Sequence, residues 1–295
     1  MPDAATAAAT DKVDPTLSDE QIASFHEHGF LIIPAAFDAG EVLKMQAEAD
    51  FILELVINAS LAHEHIFGRL DIRELADGTH MVRKIQPIND LSKGLAAVSA
   101  DNRLLAPMAQ LMSDEPVLME EKLNYKQPLL THVAGIDARQ IDDRFPVHSD
   151  WAYYKAQNYP QSIISSAISM DPCLSNSGPL RVWPGSHKVD REHEAMNNGL
   201  QVKPGLIDFD GGQEVLAPAG SVMFFHSLLI HNSMANVSGK PRRLMIYSHY
   251  PKAANMGFDI RNGPGRLHTS PLLWDYVRMR QSGAYVDQFK APVYS

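Results

Sequence analysis

Ser221-Val222-Met223-Phe224-Phe225-His226-Ser227-Leu228-Leu229-Ile230 is a short, strongly apolar run with a histidine inside it. It falls well short of a membrane span, and its length suits a buried strand. Similar runs surround it at 129–133, 162–170, 179–183 and 243–250, separated by clusters of Gly, Pro, Asn and Asp. Many short strands without helical patterns between them predict an antiparallel sandwich or barrel.

Toward the amino terminus the pattern becomes helical. Ser18 and Gln21 have capping-box spacing and open a helix to about His28, which Gly29 can end in the left-handed conformation. Phe30-Leu31-Ile32-Ile33, stopped by Pro34, reads as a buried strand. Asp38 and Glu41 repeat the capping-box spacing. Behind them Val42, Met45, Ala49, Ile52 and Val56 recur at helical intervals, which predicts a long amphipathic helix. Residues 1–16 read as a disordered tail. The rest is expected to be a single domain over 17–295. It would have a helical part to about 115, a β core over about 116–250, and a carboxy-terminal extension over 251–295 with a helix around 272–280.

Composition removes several function classes. A net charge of -9 argues against a nucleic-acid partner, because such surfaces meet phosphates with Lys and Arg. It also leans away from a heavily phosphorylated substrate or a CoA ester. The one cysteine, Cys173, excludes an internal disulfide and a Cys-rich zinc site, so any metal must be held by imidazole and carboxylate. No signal, transit or membrane-spanning pattern is visible, and a cytoplasmic location is expected.

The chemistry is carried by Phe145-Pro146-Val147-His148-Ser149-Asp150-Trp151. On a strand, residues two apart share a face, so His148 and Asp150 would project together as two corners of a metal site. A third ligand is sought in the distal run, where His226 and His231 compete. Five residues apart on an extended strand they would face opposite sides. Arg242 lies eleven residues beyond His231 and favours it. Two histidines and a carboxylate on one face of a metal leave open positions and suit Fe(II) oxygenases. A guanidinium at Arg242 can pair bidentately with a carboxylate such as the far end of 2-oxoglutarate, and its neighbour Arg243 should point away.

Further motifs strengthen the pattern. They are Leu17-Ser18-Asp19-Glu20-Gln21-Ile22 followed by Gly29-Phe30-Leu31-Ile32-Ile33-Pro34, then Asn124-Tyr125-Lys126-Gln127-Pro128, then the glycine turn and PGSH sequence of 177–187. From Leu17 to about Tyr250 the chain resembles the phytanoyl-CoA dioxygenase family of Fe(II)/2-oxoglutarate oxygenases. The resemblance implies a mainly β fold with flanking α-helices around a double-stranded β-helix, the jelly-roll core of cupins. It implies Fe(II), 2-oxoglutarate as co-substrate, and O2. It implies that His148, Asp150 and His231 bind iron, that Arg242 anchors 2-oxoglutarate, and that Lys84 contacts it. Ser169 stands where some relatives place a hydroxyl near the co-substrate, while Leu123 and Ala167 replace the family's usual Met and Trp there. The implied reaction oxidises an unactivated C–H bond of a small-molecule metabolite, as in secondary metabolism, and releases succinate and CO2. Related halogenases lack the carboxylate that Asp150 supplies, so its presence favours oxygenation.

Plainer roles stand beside these. His187 would fix a turn, Lys84 could be a surface lysine with Lys126 in its place, and His63, His65 and His80 could be surface or hydrogen-bonding residues. Trp151, Tyr153 and Tyr154 would either line a pocket suited to a mostly apolar metabolite or pack in the core. Two other functions stay open: a cupin-like metal enzyme that does not use 2-oxoglutarate, and a non-catalytic jelly-roll binding protein. The oligomeric state is open, a homodimer included.

Overall fold

Reciprocal caps start both amino-terminal helices. The computed structural model describes residues 15–63, 69–129, 144–260 and 281–282. Ser18 caps α1 (Asp19–His28) with Gln21 returning the bond, and Gly29 ends it at φ 84° with its N–H on the Phe25 carbonyl. Strand β1 (Phe30–Ile33) follows, then α2 (Ala39–His63). Asp38 and Glu41 exchange backbone-to-side-chain bonds of 2.9 Å at its start. Val42, Met45, Ala49, Ile52 and Val56 are all buried, as the helical spacing predicts.

The region expected to be purely helical also contains two strands, β2 (Leu70–Glu74) and β3 (His80–Ile85). They form a hairpin across Asp77-Gly78, with Gly78 at φ 83°. An Asp-Gly pair between alternating segments is a hairpin signal. Helices α3 (Lys93–Val98) and α4 (Asn102–Met112) precede the long β4 (Pro116–Pro128). Then come β5 (Phe145–His148), β6 (Ile164–Ser169), β7 (Leu180–Val182), β8 (His193–Met196), β9 (Gly199–Val202), β10 (Gln213–Glu214), β11 (Val222–His226), β12 (His231–Ser233) and β13 (Leu244–Pro251). Positions 130–133 of one expected strand, the helix expected around 272–280 and most of the amino-terminal tail lie outside the described residues.

The strands form a seven-stranded sheet in the order β1-β11-β6-β13-β4-β3-β2 and a four-stranded sheet in the order β10-β7-β12-β5. Their pairings are antiparallel, and together the sheets make the jelly-roll core. Period-two alternation divides the large sheet's side chains between two layers. Met245 and Tyr247 of β13 join Ile52, Val56 and Leu104 in the core under the helices. Leu244 and Ile246 face the other way, into the layer between the sheets with Ala167, Met223 and Phe225. Burying such a side chain contributes roughly 1.5–3 kcal/mol, so a one-residue slip of β13 would expose both layers at once. Among the described residues no helix is long and apolar enough to cross a membrane.

Candidate metal centre

The run 221–230 is not one strand. Strand β11 stops at His226 and β12 begins at His231 in the opposite sheet, so the intervening residues carry the chain across the barrel. The crossing is held by backbone bonds from Leu229 N–H to the His226 carbonyl and from Ser227 N–H to the Ile163 carbonyl, both 2.9 Å. Ser186 of the PGSH turn accepts the Ile230 N–H at 2.9 Å, fixing the residue before His231. Strand parity therefore does not separate the two histidines; the change of sheet does. His226 packs against the ring of His187 at 5.5 Å. Burial first, then the neighbouring His187, hold it down to about 4, so it is a neutral structural residue.

His231 pairs in register with His148 at the end of β5. Asp150 is not on that strand: its helical backbone (φ -60°, ψ -31°) opens the turn Trp151–Tyr154. A strand end followed by a turn, rather than strand alternation, brings the two ligands together. Asp150 Oδ1 lies 3.8 Å from His148 Nε2 and 3.9 Å from His231 Nε2. All three side chains are buried, and one donor atom from each lies within 4.8 Å of the others.

The donor set fits a divalent metal. The Nδ1 atoms of His148 and His231 meet the carbonyls of Pro146 at 2.7 Å and Leu229 at 3.0 Å, which fixes Nδ1–H as donor and leaves Nε2 free to ligate. Burial, then the adjacent His231, hold His148 down to about 3, so the ring is neutral. Burial alone would raise Asp150, but the positive charge of Lys122 and the two imidazoles outweigh it and keep the carboxylate ionised. Its Oδ2 is buried without a hydrogen-bond partner among the described residues. A buried, unpartnered carboxylate oxygen beside two oriented imidazoles is costly unless a cation sits there.

These three residues line a cavity of about 760 Å³ that Lys84 also lines. Arg242, Ser169 and Leu123 do not line it. Arg242 is buried two residues ahead of Leu244 and donates to the Gly178 carbonyl at 2.6 Å. Gly178 holds φ 68° there, and a Cβ would meet the Met234 carbonyl at 2.4 Å. Arg243 points to α2 and binds Asp171 and Asp50, in keeping with the expected opposition of the neighbours. Ser169 shares the inter-sheet side with Ala167, its hydroxyl 3.5 Å from Cys173 Sγ. The expectation for Leu123 is corrected: it pairs with Met245 and packs in the helix-side core. Its neighbours Lys122 and Asn124 face the cavity instead.

Sequence reasoning also missed Ser233, two residues after His231 on β12. Its buried hydroxyl lines the cavity and has no hydrogen-bond partner among the described residues. Same-face spacing from the ligand was the available signal. Tyr153 and Tyr154 line the cavity, while Trp151 packs with Ile163, Leu228 and Tyr250. The cavity wall is not the apolar one expected, since Arg69, Arg73, Arg83, Lys84, Lys122 and Glu120 all contribute to it. His187 does serve its turn, its Nε2 lying 3.2 Å from the His26 carbonyl. His80 is buried near Glu74, away from the site, and His65 lies outside the described residues.

Comparison with known proteins agrees with this geometry. The chain is 24% identical over 250 residues to the ectoine dioxygenase of Halomonas elongata, covering 79% of this chain and 69% of that protein. Its fold superposes on the apo form of EctD from S. alaskensis with a TM-score of 0.61 at 21% identity, covering 83% and 81% of the two chains. The epimerase SnoN, in complex with Fe3+, alpha ketoglutarate and nogalamycin RO, gives 0.56 at 17% identity, covering 79% of this chain and 83% of that one. The model of the phytanoyl-CoA dioxygenase (PhyH) family matches residues 25–244, three quarters of the sequence, and the chain belongs to that family.

Proposed function

We propose that the chain is an Fe(II)/2-oxoglutarate-dependent oxygenase acting on an unactivated C–H bond of a small-molecule metabolite. The observation that carries this is the convergence of His148, Asp150 and His231 at the wall of one cavity. Iron bound there with 2-oxoglutarate and O2 supplies the oxidising power, with succinate and CO2 as products. The chain's own work is positional. Two backbone carbonyls orient the imidazoles, so Nε2 of each is presented without rearrangement. Asp150 adds one negative charge, held ionised by its basic surroundings. Arg242, buried on the inter-sheet side, is assigned to the distal carboxylate of 2-oxoglutarate, with the Ser233 hydroxyl as a second polar contact. Ser169, with Cys173 beside it, is left a packing role. A cytoplasmic location accompanies this proposal, since Cys173 is a buried free thiol.

The test needs no substrate. Aerobic incubation with Fe(II) and 2-oxoglutarate is expected to form succinate slowly, at a rate that His148→Ala abolishes. Succinate formation no faster than in that variant would refute the oxygenase and favour a metal enzyme that does not use 2-oxoglutarate.

A further inference from the structure

We propose, resting on the oxygenase function above, that Lys122 and Lys84 form an anion subsite that selects a substrate bearing one carboxylate. In the register of the large sheet Lys84 of β3 stands opposite Asn124 of β4, and Lys122 lies two residues along β4 on the same face. Such diagonal neighbours are about 7–8 Å apart at Cα, within joint reach of two lysine side chains. Both line the cavity that contains the metal-binding triad.

The local charges do not balance. Glu120 takes Lys122 at 2.6 Å. Lys84 is half-buried and has neither a hydrogen bond nor an ion pair among the described residues. Asp71 is in register with Lys84, but its carboxylate is occupied by Arg73 at 2.9 Å and Arg83 at 2.7 Å. Two ammonium groups against one carboxylate leave one positive charge facing the cavity. A monoanion neutralises it, whereas a phosphate dianion would overshoot and a neutral amide would leave the ammonium desolvated and unpaired.

The resemblance assigned Lys84 to the co-substrate; the position of Lys122 argues for the substrate. Lys122 is in register with Ile246, four residues along the chain from Arg242. That is on the order of 13 Å of extended chain, too far for one carboxylate to meet both. If 2-oxoglutarate is held at Arg242, a different carboxylate belongs at Lys122, and Lys84 lies on the side toward it.

The test uses the full chain, loaded anaerobically with Fe(II) and 2-oxoglutarate, and titrates fluorobenzoate and fluorobenzamide by fluorine NMR. The acid is expected to bind at least about tenfold more tightly than the amide. Lys84→Met and Lys122→Met should each weaken the acid by about tenfold, leaving the amide and 2-oxoglutarate within about twofold, and Lys84→Arg should restore most of the loss. Equal binding of the two probes by the unsubstituted enzyme would overturn the subsite. So would lysine variants that weaken 2-oxoglutarate but keep the acid preference. If the unsubstituted enzyme binds no 2-oxoglutarate, the oxygenase function fails, and the same titration with Fe(II) alone still decides the anion preference.

Discussion

Replacing His231 with alanine is expected to lower 2-oxoglutarate turnover by at least about a thousandfold while leaving the fold intact. The side chain comes from β12, in register with His148, and contributes one of three donor atoms to the site. Without it, His148 and Asp150 offer only two ligands to an ion that must also hold a chelating co-substrate. Loss of a mere supporting residue around a metal typically costs 10–100-fold, so loss of a ligand should cost more. The imidazole faces a cavity, so its removal leaves little unfilled core and should cost under about 2 kcal/mol of stability. Iron content after equilibrium dialysis, succinate formation and a melting curve check the three parts. Turnover within tenfold of the unsubstituted protein would mean that His231 is not a ligand.

Arg243→Ala should act in the opposite sense, on stability. Arg243 ties the start of β13 to α2 and the loop after β6, with its guanidinium 2.8 Å from Asp171 Oδ1 and also paired with Asp50. Its backbone N–H meets Asp171 as well, at 2.7 Å. Removing one partner of a buried ion pair strands the others, which costs about 3–5 kcal/mol. For a domain of this size that is a fall in melting temperature of roughly 10 °C. A loss under about 1 kcal/mol in denaturant titration would show that solvent reaches the cluster. Adjacent arginines thus divide the work, because alternation sends one between the sheets and the other toward the helices.

What could be read in advance follows the range of the forces involved. Capping at Ser18 and Asp38 and the buried stripe from Val42 to Val56 are local, and they stand in the structure where the spacing puts them. The HxD pair and His231 were legible because ligation needs particular side chains, whatever the backbone between them does. The backbone itself was misread. Asp150 sits on a turn, and 226–231 crosses between sheets, since an apolar run alone does not reveal where a strand ends. β2 and β3 were absorbed into the helical region although Asp77-Gly78 marks their hairpin. Leu123 was placed one residue out of phase, and in a strand one residue reverses the face. Lys122, Asn124 and Ser233 become cavity residues only through long-range pairing, which no window of sequence displays. The apolar pocket failed for the same reason, because Arg69, Arg73 and Arg83 arrive on strands and turns remote from the HxD motif.

The most direct measurement is the visible absorption of the Fe(II)-loaded chain when 2-oxoglutarate is added without oxygen. A keto acid chelated to Fe(II) produces a charge-transfer band, so a band saturating at one iron per chain is expected, and it should vanish in Asp150→Ala and His231→Ala. No band in the unsubstituted protein, or one that persists when either residue is removed, would mean that these side chains do not hold an iron open to the co-substrate.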